Sequence, residues 1–117
     1  MTVDFDFSDT HQLLRQAVRD FCEKEVRPLS RELDETERFP TELVPRLAEM
    51  GLLGILIPEQ FGGAGMDVTS YALCVEECSR VDGSLGLTVA SHNGLGVGHI
   101  LARGTEAQKQ RYLPRAA

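Results

Sequence analysis

The sequence lacks tryptophan, has only 6% aromatic residues and carries fewer basic than acidic residues. Its 12 Lys and Arg against 18 Asp and Glu give a net charge of -6, so no basic surface is available for phosphate contacts. Nucleic-acid binding is therefore not expected. The N-terminal residues have neither the apolar core of a signal peptide nor the Arg-rich character of a transit peptide, which predicts a cytoplasmic protein. A length of 117 residues predicts one domain.

Cysteine is scarce, and the three cysteines form no CxxC pair. The odd number fits a reducing compartment, and we interpret Cys22, Cys74 and Cys78 as small buried hydrophobic residues. His92 and His99 are seven residues apart, which is too far for a pair of metal ligands on one helix. We expect these histidines to be buried and hydrogen-bonded or half exposed, and we expect no metal site.

Apolar residues recur at three- and four-residue steps along most of the chain, which predicts helices. The predicted helices cover about 9–26, with Ser8 as N-cap and a stop or bend at Pro28, a short continuation over 29–36, then 41–50, 69–81, 84–102, and a last helix capped by Thr105 and limited by Pro114. Pro45 predicts a late start or a slight kink for the helix at 41–50. The only candidate strand is 52–57. The expected fold is an all-α helical bundle of five to six helices.

The stretch from Ser84 to Ala102 holds 19 residues without a formal charge. A membrane span is not expected there, because the stretch contains four glycines and several polar residues. We predict instead the buried centre of a helical bundle. Gly94 and Gly98 would let a neighbouring helix or a ligand approach the backbone closely.

The glycine-rich segment from Gly63 to Val68 lies where a dinucleotide-binding loop would lie, between an apolar run and a helix. The segment does not match the dinucleotide-binding motif GxGxxG, because Val68 lies at the position of the third glycine and Pro58 separates the apolar run from the turn. We interpret the segment as a tight turn. Glu76 and Glu77 are not easily assigned to a solvated helix face. No complete catalytic set appears, and the residues alone do not predict a reaction.

Several segments together resemble the N-terminal helical domain of the acyl-CoA dehydrogenase family. The resemblance spans nearly the whole chain, in the order that the family shows. It is carried by Phe39-Pro40, by Gly51-Leu52-Leu53-Gly54-Ile55, by the run from Ile57 to Asp67, by Glu76-Glu77-Cys78-Ser79-Arg80-Val81-Asp82, and by the run from Gly104 to Pro114.

The resemblance implies a flavoprotein in which a glutamate base removes the α proton of an acyl-CoA and the β hydride passes to FAD. It further implies an electron-transfer flavoprotein as electron acceptor, and a homotetramer or homodimer as the full-length form. In the family, a β-domain with most flavin contacts and a C-terminal helical domain that commonly carries the base follow this domain. The sequence stops at Arg115-Ala116-Ala117, so neither later domain is expected within it. No catalytic base and no FAD ligand is assigned to this chain.

The resemblance also implies substrate contacts on the central helix. In the family, residues just before and at an Asn-small-Leu segment line the far end of the acyl-chain cavity, and that segment here is 93–95. Leu87, Thr88, Ser91 and Leu95 are the corresponding substrate-binding candidates, and short or branched substrates are expected. Three alternatives stay open: a helix buried only against its neighbours, a non-catalytic helical interaction domain, and a related flavoprotein such as an acyl-CoA oxidase or nitroalkane oxidase.

Overall fold

The computed structural model describes residues 3–117, and within that range the chain forms helices and turns without a β-strand. The first helical segment joins α1 (Asp9–Phe21), a π-helical turn (Cys22–Val26) and α2 (Arg27–Thr36). It is followed by α3 (Val44–Glu49), a short 3-10 turn (Glu59–Phe61) and α4 (Val68–Val81). The last two segments are α5 (Gly83–Ser91) with a π-helical segment (His92–Val97) and α6 (Gly98–Arg103), and then α7 (Glu106–Ala116). The predicted all-α fold with five to six helices is confirmed.

Two helices begin at the residues that the sequence predicts. The backbone N–H of His11 donates to Ser8 Oγ at 3.2 Å, and the N–H of Ser8 donates back to the His11 ring at 3.3 Å. At the start of α7, the N–H of Gln108 donates to Thr105 Oγ1 at 3.2 Å. These capping boxes satisfy backbone N–H groups that have no partner inside the helix.

Two helices contain a proline. At Pro28 the predicted continuation over 29–36 is found, whereas the limit predicted at Pro114 is wrong. The first helix passes Pro28 and continues to Thr36. A π-helical turn lies just before this proline, where the N–H of Arg27 donates to the Cys22 carbonyl five residues back. The wider turn gives the proline ring room that a regular helix denies it. Pro114 likewise lies inside α7 rather than at its end.

The helix predicted over 41–50 begins late, as Pro45 indicates. Residues 41–43 form a turn, and α3 starts at Val44 with Pro45 in its first turn. A proline costs little there, because its missing N–H has no partner in the helix anyway. Gly51 follows the helix with a φ of 77°, which is the left-handed conformation that glycine adopts without strain.

The strand predicted over 52–57 is wrong. The segment forms successive turns that pair with the glycine-rich loop, since Ala64 N–H donates to the Gly54 carbonyl at 2.9 Å and Met66 N–H to the Ile55 carbonyl at 2.8 Å. Leu52, Leu53, Ile55 and Ile57 are all buried. The apolar run therefore reflects burial on every side, which periodicity does not distinguish from a buried strand.

The main hydrophobic core lies between α1, α4 and α5, with the 52–55 turns packed on it. A second cluster joins the following turns to the π-helical segment and α7, and it consists of Ile57, Phe61, Val97 and Leu113. The three cysteines belong to the main core and are fully buried, as predicted. Among residues 3–117, none of the helices combines the length and the apolar character that a membrane crossing requires.

Candidate functional site

The four substrate-binding candidates lie on one helical segment, α5 and the π-helical turn that continues it. Its inner face is buried and comprises Leu85, Gly86, Val89, Asn93 and Val97. Its outer face is open: Leu87 is 66% exposed and Leu95 is 69% exposed, whereas Thr88 and Ser91 are half-buried. The prediction that 84–102 is the buried centre of the domain is thus wrong for one of its two faces. Leu87, Ser91 and Leu95 follow one another at four-residue steps, so they share the open face.

The start of α5 is fixed by Asp82. Its carboxylate accepts a hydrogen bond from the N–H of Leu85 at 3.0 Å and another from the Ser30 hydroxyl of α2 at 3.1 Å. One aspartate therefore caps α5 and ties it to α2.

α4 and α5 approach each other closely at Gly86. A Cβ at this position would lie 1.8 Å from Ser79 Oγ, so only glycine fits. The sequence interpretation placed such an approach at Gly94 and Gly98. At Gly98, an added Cβ would meet only the Asn93 carbonyl of its own helix, and at Gly94 it would meet the hydroxyl of Tyr71.

The π-helical segment is held from inside by Asn93, which is fully buried. Its side-chain Nδ2 donates to the carbonyls of Leu52 at 2.9 Å and Val89 at 3.0 Å. The Gly98 N–H donates to the Asn93 carbonyl five residues back, which defines the wider turn. The helix that carries the open face is thus anchored to the 52–57 turns by the hydrogen bond from Asn93 to Leu52.

Thr88 also borders a groove of about 720 Å³ between α2 and the start of α5. Polar and charged side chains line much of this groove, among them Arg27, Arg31, Asp34, Arg38, Asp82 and Ser84. Leu87, Ser91 and Leu95 do not line it. The four candidates therefore share a helix face, but within residues 3–117 they do not surround a common cavity.

Glu77 is the one buried carboxylate of the described part of the chain. Arg19 donates to it twice, at 2.9 and 2.8 Å, and Arg15 donates at 3.0 Å, so α1 is clamped to α4. These hydrogen bonds, that of Arg19 first, hold the pKa of Glu77 below its usual value. A general base operates best with a pKa near the working pH, so Glu77 is unsuited to proton abstraction. Glu76 is exposed, as on a solvated face.

The histidines of α5 and its continuation contact backbone carbonyls. His92 Nε2 lies 2.7 Å from the Ala116 carbonyl, and His99 Nδ1 lies 2.6 Å from the Leu95 carbonyl. Since a carbonyl only accepts, each of these nitrogens carries a proton. Within residues 3–117, no three His, Cys, Asp or Glu side chains converge as a metal site would require.

The glycine-rich loop directs its N–H groups to its own chain. The N–H of Gly63 donates to the Pro58 carbonyl at 3.2 Å, and the N–H of Gly65 donates to the Ile57 carbonyl at 2.9 Å. A Cβ on Gly63 would lie 2.0 Å from the Ile57 carbonyl oxygen, so this glycine serves the internal contact. The interpretation as a tight turn is confirmed, and the loop does not fit a phosphate of FAD, which needs free N–H groups.

Two features of this region were missed by sequence reasoning. Glu77 contacts arginines about 60 positions away, and no local spacing indicates that pairing. Tyr71 of α4 donates its hydroxyl to the carbonyl of Ala90 at 2.8 Å, just before the π-helical segment. In the sequence, an aromatic residue on an amphipathic helix indicates burial but does not indicate which backbone group its hydroxyl contacts.

Comparison with known proteins gives consistent matches. The family model described as the acyl-CoA dehydrogenase N-terminal domain matches residues 8–117 of the sequence. The chain is 46% identical over 111 residues to the short-chain specific acyl-CoA dehydrogenase of Clostridium acetobutylicum, covering 95% of this chain and 29% of that protein. Its fold resembles butyryl-CoA dehydrogenase from Megasphaera elsdenii with a TM-score of 0.92 and 33% identity, covering 97% of this chain and 30% of that one.

A further structural match comes from a study of the electron transferring flavoprotein of Acidaminococcus fermentans. The TM-score is 0.94 at 37% identity, and the match covers 98% of this chain and 30% of that one. The chain therefore spans a little under a third of the proteins that it matches.

Proposed function

Because the chain belongs to the acyl-CoA dehydrogenase family, through that family's N-terminal domain, we propose that the protein oxidises acyl-CoA thioesters at the α,β bond. The observation that carries the proposal is the family match over residues 8–117. Short-chain substrates are favoured by the relative from Clostridium acetobutylicum, whose name specifies short-chain acyl-CoA. This reaction is a step in the breakdown of fatty acids or branched-chain acids.

The contribution of this chain is one wall of the acyl-tail pocket, formed by Leu87, Thr88, Ser91 and Leu95. Two features support it: the face is open in the described domain, and it presents large apolar groups next to small uncharged ones. Apolar surface of this kind is what an alkyl tail contacts favourably. The base that removes the α proton is not assigned to residues of this chain, since the one buried carboxylate within residues 3–117, Glu77, is held by arginines.

Replacing Ser91 with Leu tests this wall. Leucine will fill space at the tail end of the pocket, and forcing a longer tail against it costs roughly 1 to 3 kcal/mol. A buried methylene contributes about 0.8 kcal/mol, close to fourfold in kcat/KM. We expect the ratio of kcat/KM for hexanoyl-CoA over butyryl-CoA to fall in Ser91→Leu of the complete protein.

The matched control is Ala102→Leu, which adds leucine at an exposed position of the same helical segment. It should leave the hexanoyl-to-butyryl ratio unchanged, and thermal melts of both variants will show that they are folded. An unchanged ratio in a stable Ser91→Leu variant would remove Ser91 from the pocket.

We propose FAD as the cofactor and an electron-transfer flavoprotein as the redox partner of the complete protein. Bound FAD would supply the acceptor for the hydride. The glycine-rich loop of this chain does not fit its phosphates, and we propose no residue of this chain as a flavin contact. The purified complete protein should be yellow with near-stoichiometric flavin, and a homotetramer or homodimer is expected. Three reduced, buried cysteines agree with a cytoplasmic location.

Two alternatives have distinct signatures. A non-catalytic helical interaction domain would purify colourless, without a flavin spectrum. A flavoprotein oxidase on the same scaffold would consume oxygen with its substrate in the absence of a transfer flavoprotein, because oxygen would then accept the electrons. Oxygen uptake with and without the transfer flavoprotein separates the oxidase from the dehydrogenase.

A further inference from the structure

We infer that Tyr71 of α4 is a specificity-determining residue that bounds the open face of α5 and limits the space for the acyl tail, an inference that rests on the proposed function. None of the four candidates comes from α4, so Tyr71 adds a second helix to the proposed wall. It does so through a hydroxyl that lies directly over the helix backbone.

The position of the Tyr71 side chain is fixed at both ends. Its ring is half-buried and packs against the main core. Its hydroxyl donates to the Ala90 carbonyl at 2.8 Å, which is a normal length for such a bond. A ring held in this way at the core and at the hydroxyl keeps one orientation, as a pocket wall must.

The hydroxyl also lies against the position where Gly94 lacks a side chain. Gly94 has no Cβ, and a Cβ built there would lie 3.2 Å from the Tyr71 hydroxyl oxygen. Gly94 is exposed and precedes Leu95 on the open face. Tyr71 therefore closes the gap that glycine leaves in this face, with a polar group aimed at the backbone rather than into the pocket.

The wider helical turn at His92–Val97 lies immediately beyond this contact. Pro28 lies beside the π-helical turn of the first helix, whereas no proline lies in or beside the turn at His92–Val97. Asn93 holds it from the buried side through the Leu52 carbonyl, and Tyr71 holds the Ala90 carbonyl just before it. Single π-helical turns are frequent at functional sites. Tyr71 thus sets where Ser91 and Leu95 stand relative to an incoming tail.

The test uses Tyr71→Ala and Tyr71→Phe in the complete, flavin-loaded protein, with Tyr112→Ala and Tyr112→Phe as matched controls. Tyr112 is the other tyrosine of the chain and lies on α7. Removing the Tyr71 ring opens the wall beside Gly94, so the ratio of kcat/KM for hexanoyl-CoA over butyryl-CoA should rise about threefold. Tyr71→Phe keeps the ring but removes its hydrogen bond to the Ala90 carbonyl, so it should raise the ratio less than Tyr71→Ala does. The control variants should leave it unchanged.

The ratio distinguishes a wall from a purely structural residue. A structural role lowers kcat/KM for both substrates equally, and an unchanged ratio in folded Tyr71→Ala therefore overturns the inference. Where Tyr71→Ala does not fold or hold flavin, Tyr71→Phe decides: a raised ratio supports the wall and an unchanged ratio overturns it.

Parallel measurement of Ser91→Leu separates this inference from the proposed function. A shift in Ser91→Leu without one in the Tyr71 variants leaves the pocket on α5 in place and overturns only the role of Tyr71. No shift in either series, or no oxidation of acyl-CoA by the unaltered protein, overturns both.

Discussion

Replacing the buried Glu77 with Gln should destabilise the fold more than a Glu-to-Gln exchange at an exposed position of the domain. Glu77 is 1% exposed and accepts charge-assisted hydrogen bonds from Arg15 and Arg19, with Arg80 at 3.4 Å. Removing one partner of a buried ion pair costs roughly 3–5 kcal/mol when the remaining charge stays buried. Here the arginine side chains are 31–40% exposed, so water recovers part of the loss, and we expect about 2–3 kcal/mol.

The neighbouring Glu76 provides the control. It is 64% exposed and meets Arg15 at 3.6 Å, so Glu76→Gln should change the free energy of unfolding by less than about 0.5 kcal/mol. Urea denaturation followed by far-UV circular dichroism measures both. With an m value of about 1.5 kcal/mol/M, the Glu77 variant should lose about 1.5 M in its midpoint.

A loss below about 1 kcal/mol in Glu77→Gln, or one equal to that of Glu76→Gln, would refute the clamp between α1 and α4. A change in m as well as midpoint would show that the denatured or native state had altered its compactness, in which case thermal melts of both variants decide.

Two further predictions concern acid stability and the domain by itself. Hydrogen bonds from the Ser70 hydroxyl and N–H, and then from His11, lower the pKa of Asp67 from 3.8 to about 2; the unfolded chain therefore takes up this proton first, and the stability that Asp67 adds above about pH 4 is lost as the pH falls towards 2. Urea midpoints should fall less steeply over that range in Asp67→Asn than in the unaltered protein, and parallel slopes would contradict the pairing. The 117 residues alone should fold, yet show no acyl-CoA oxidation and no submicromolar FAD binding by fluorescence quenching, and dye binding should report the exposed Leu87 and Leu95; tight FAD binding would contradict the first expectation, and a clean monomer without dye binding the second.

Local signals in the sequence predicted much of the fold. Ser8 and Thr105 each carry a partner three residues later, so the start of the helix is encoded within one turn. Gly51 ends α3 in the left-handed conformation, which glycine adopts without strain. At Pro28 the sequence left a stop and a bend open; the helix continues because the π-helical turn before the proline is stabilised by burial of Cys22 and Val26 in the core, which is a tertiary effect.

The 52–57 turns and the site depended on contacts distant in sequence. An apolar run indicates burial, but only its pairing with the glycine-rich loop shows that it is not a strand. The substrate candidates followed from the family resemblance, and the structure adds that Leu87 and Leu95 are exposed on one face. Tyr71 could not be predicted, because its partner Ala90 is 19 residues away on another helix.

The most direct test of acyl-CoA dehydrogenase activity is an anaerobic titration of the purified complete protein with butyryl-CoA, followed by visible absorbance. A dehydrogenase should arrive with bound flavin, lose the oxidised flavin band as butyryl-CoA is added, and regain it when an electron-transfer flavoprotein is supplied. A protein that carries flavin but keeps its oxidised spectrum with butyryl-, hexanoyl- and branched acyl-CoA, or that purifies without flavin, would contradict the proposed function.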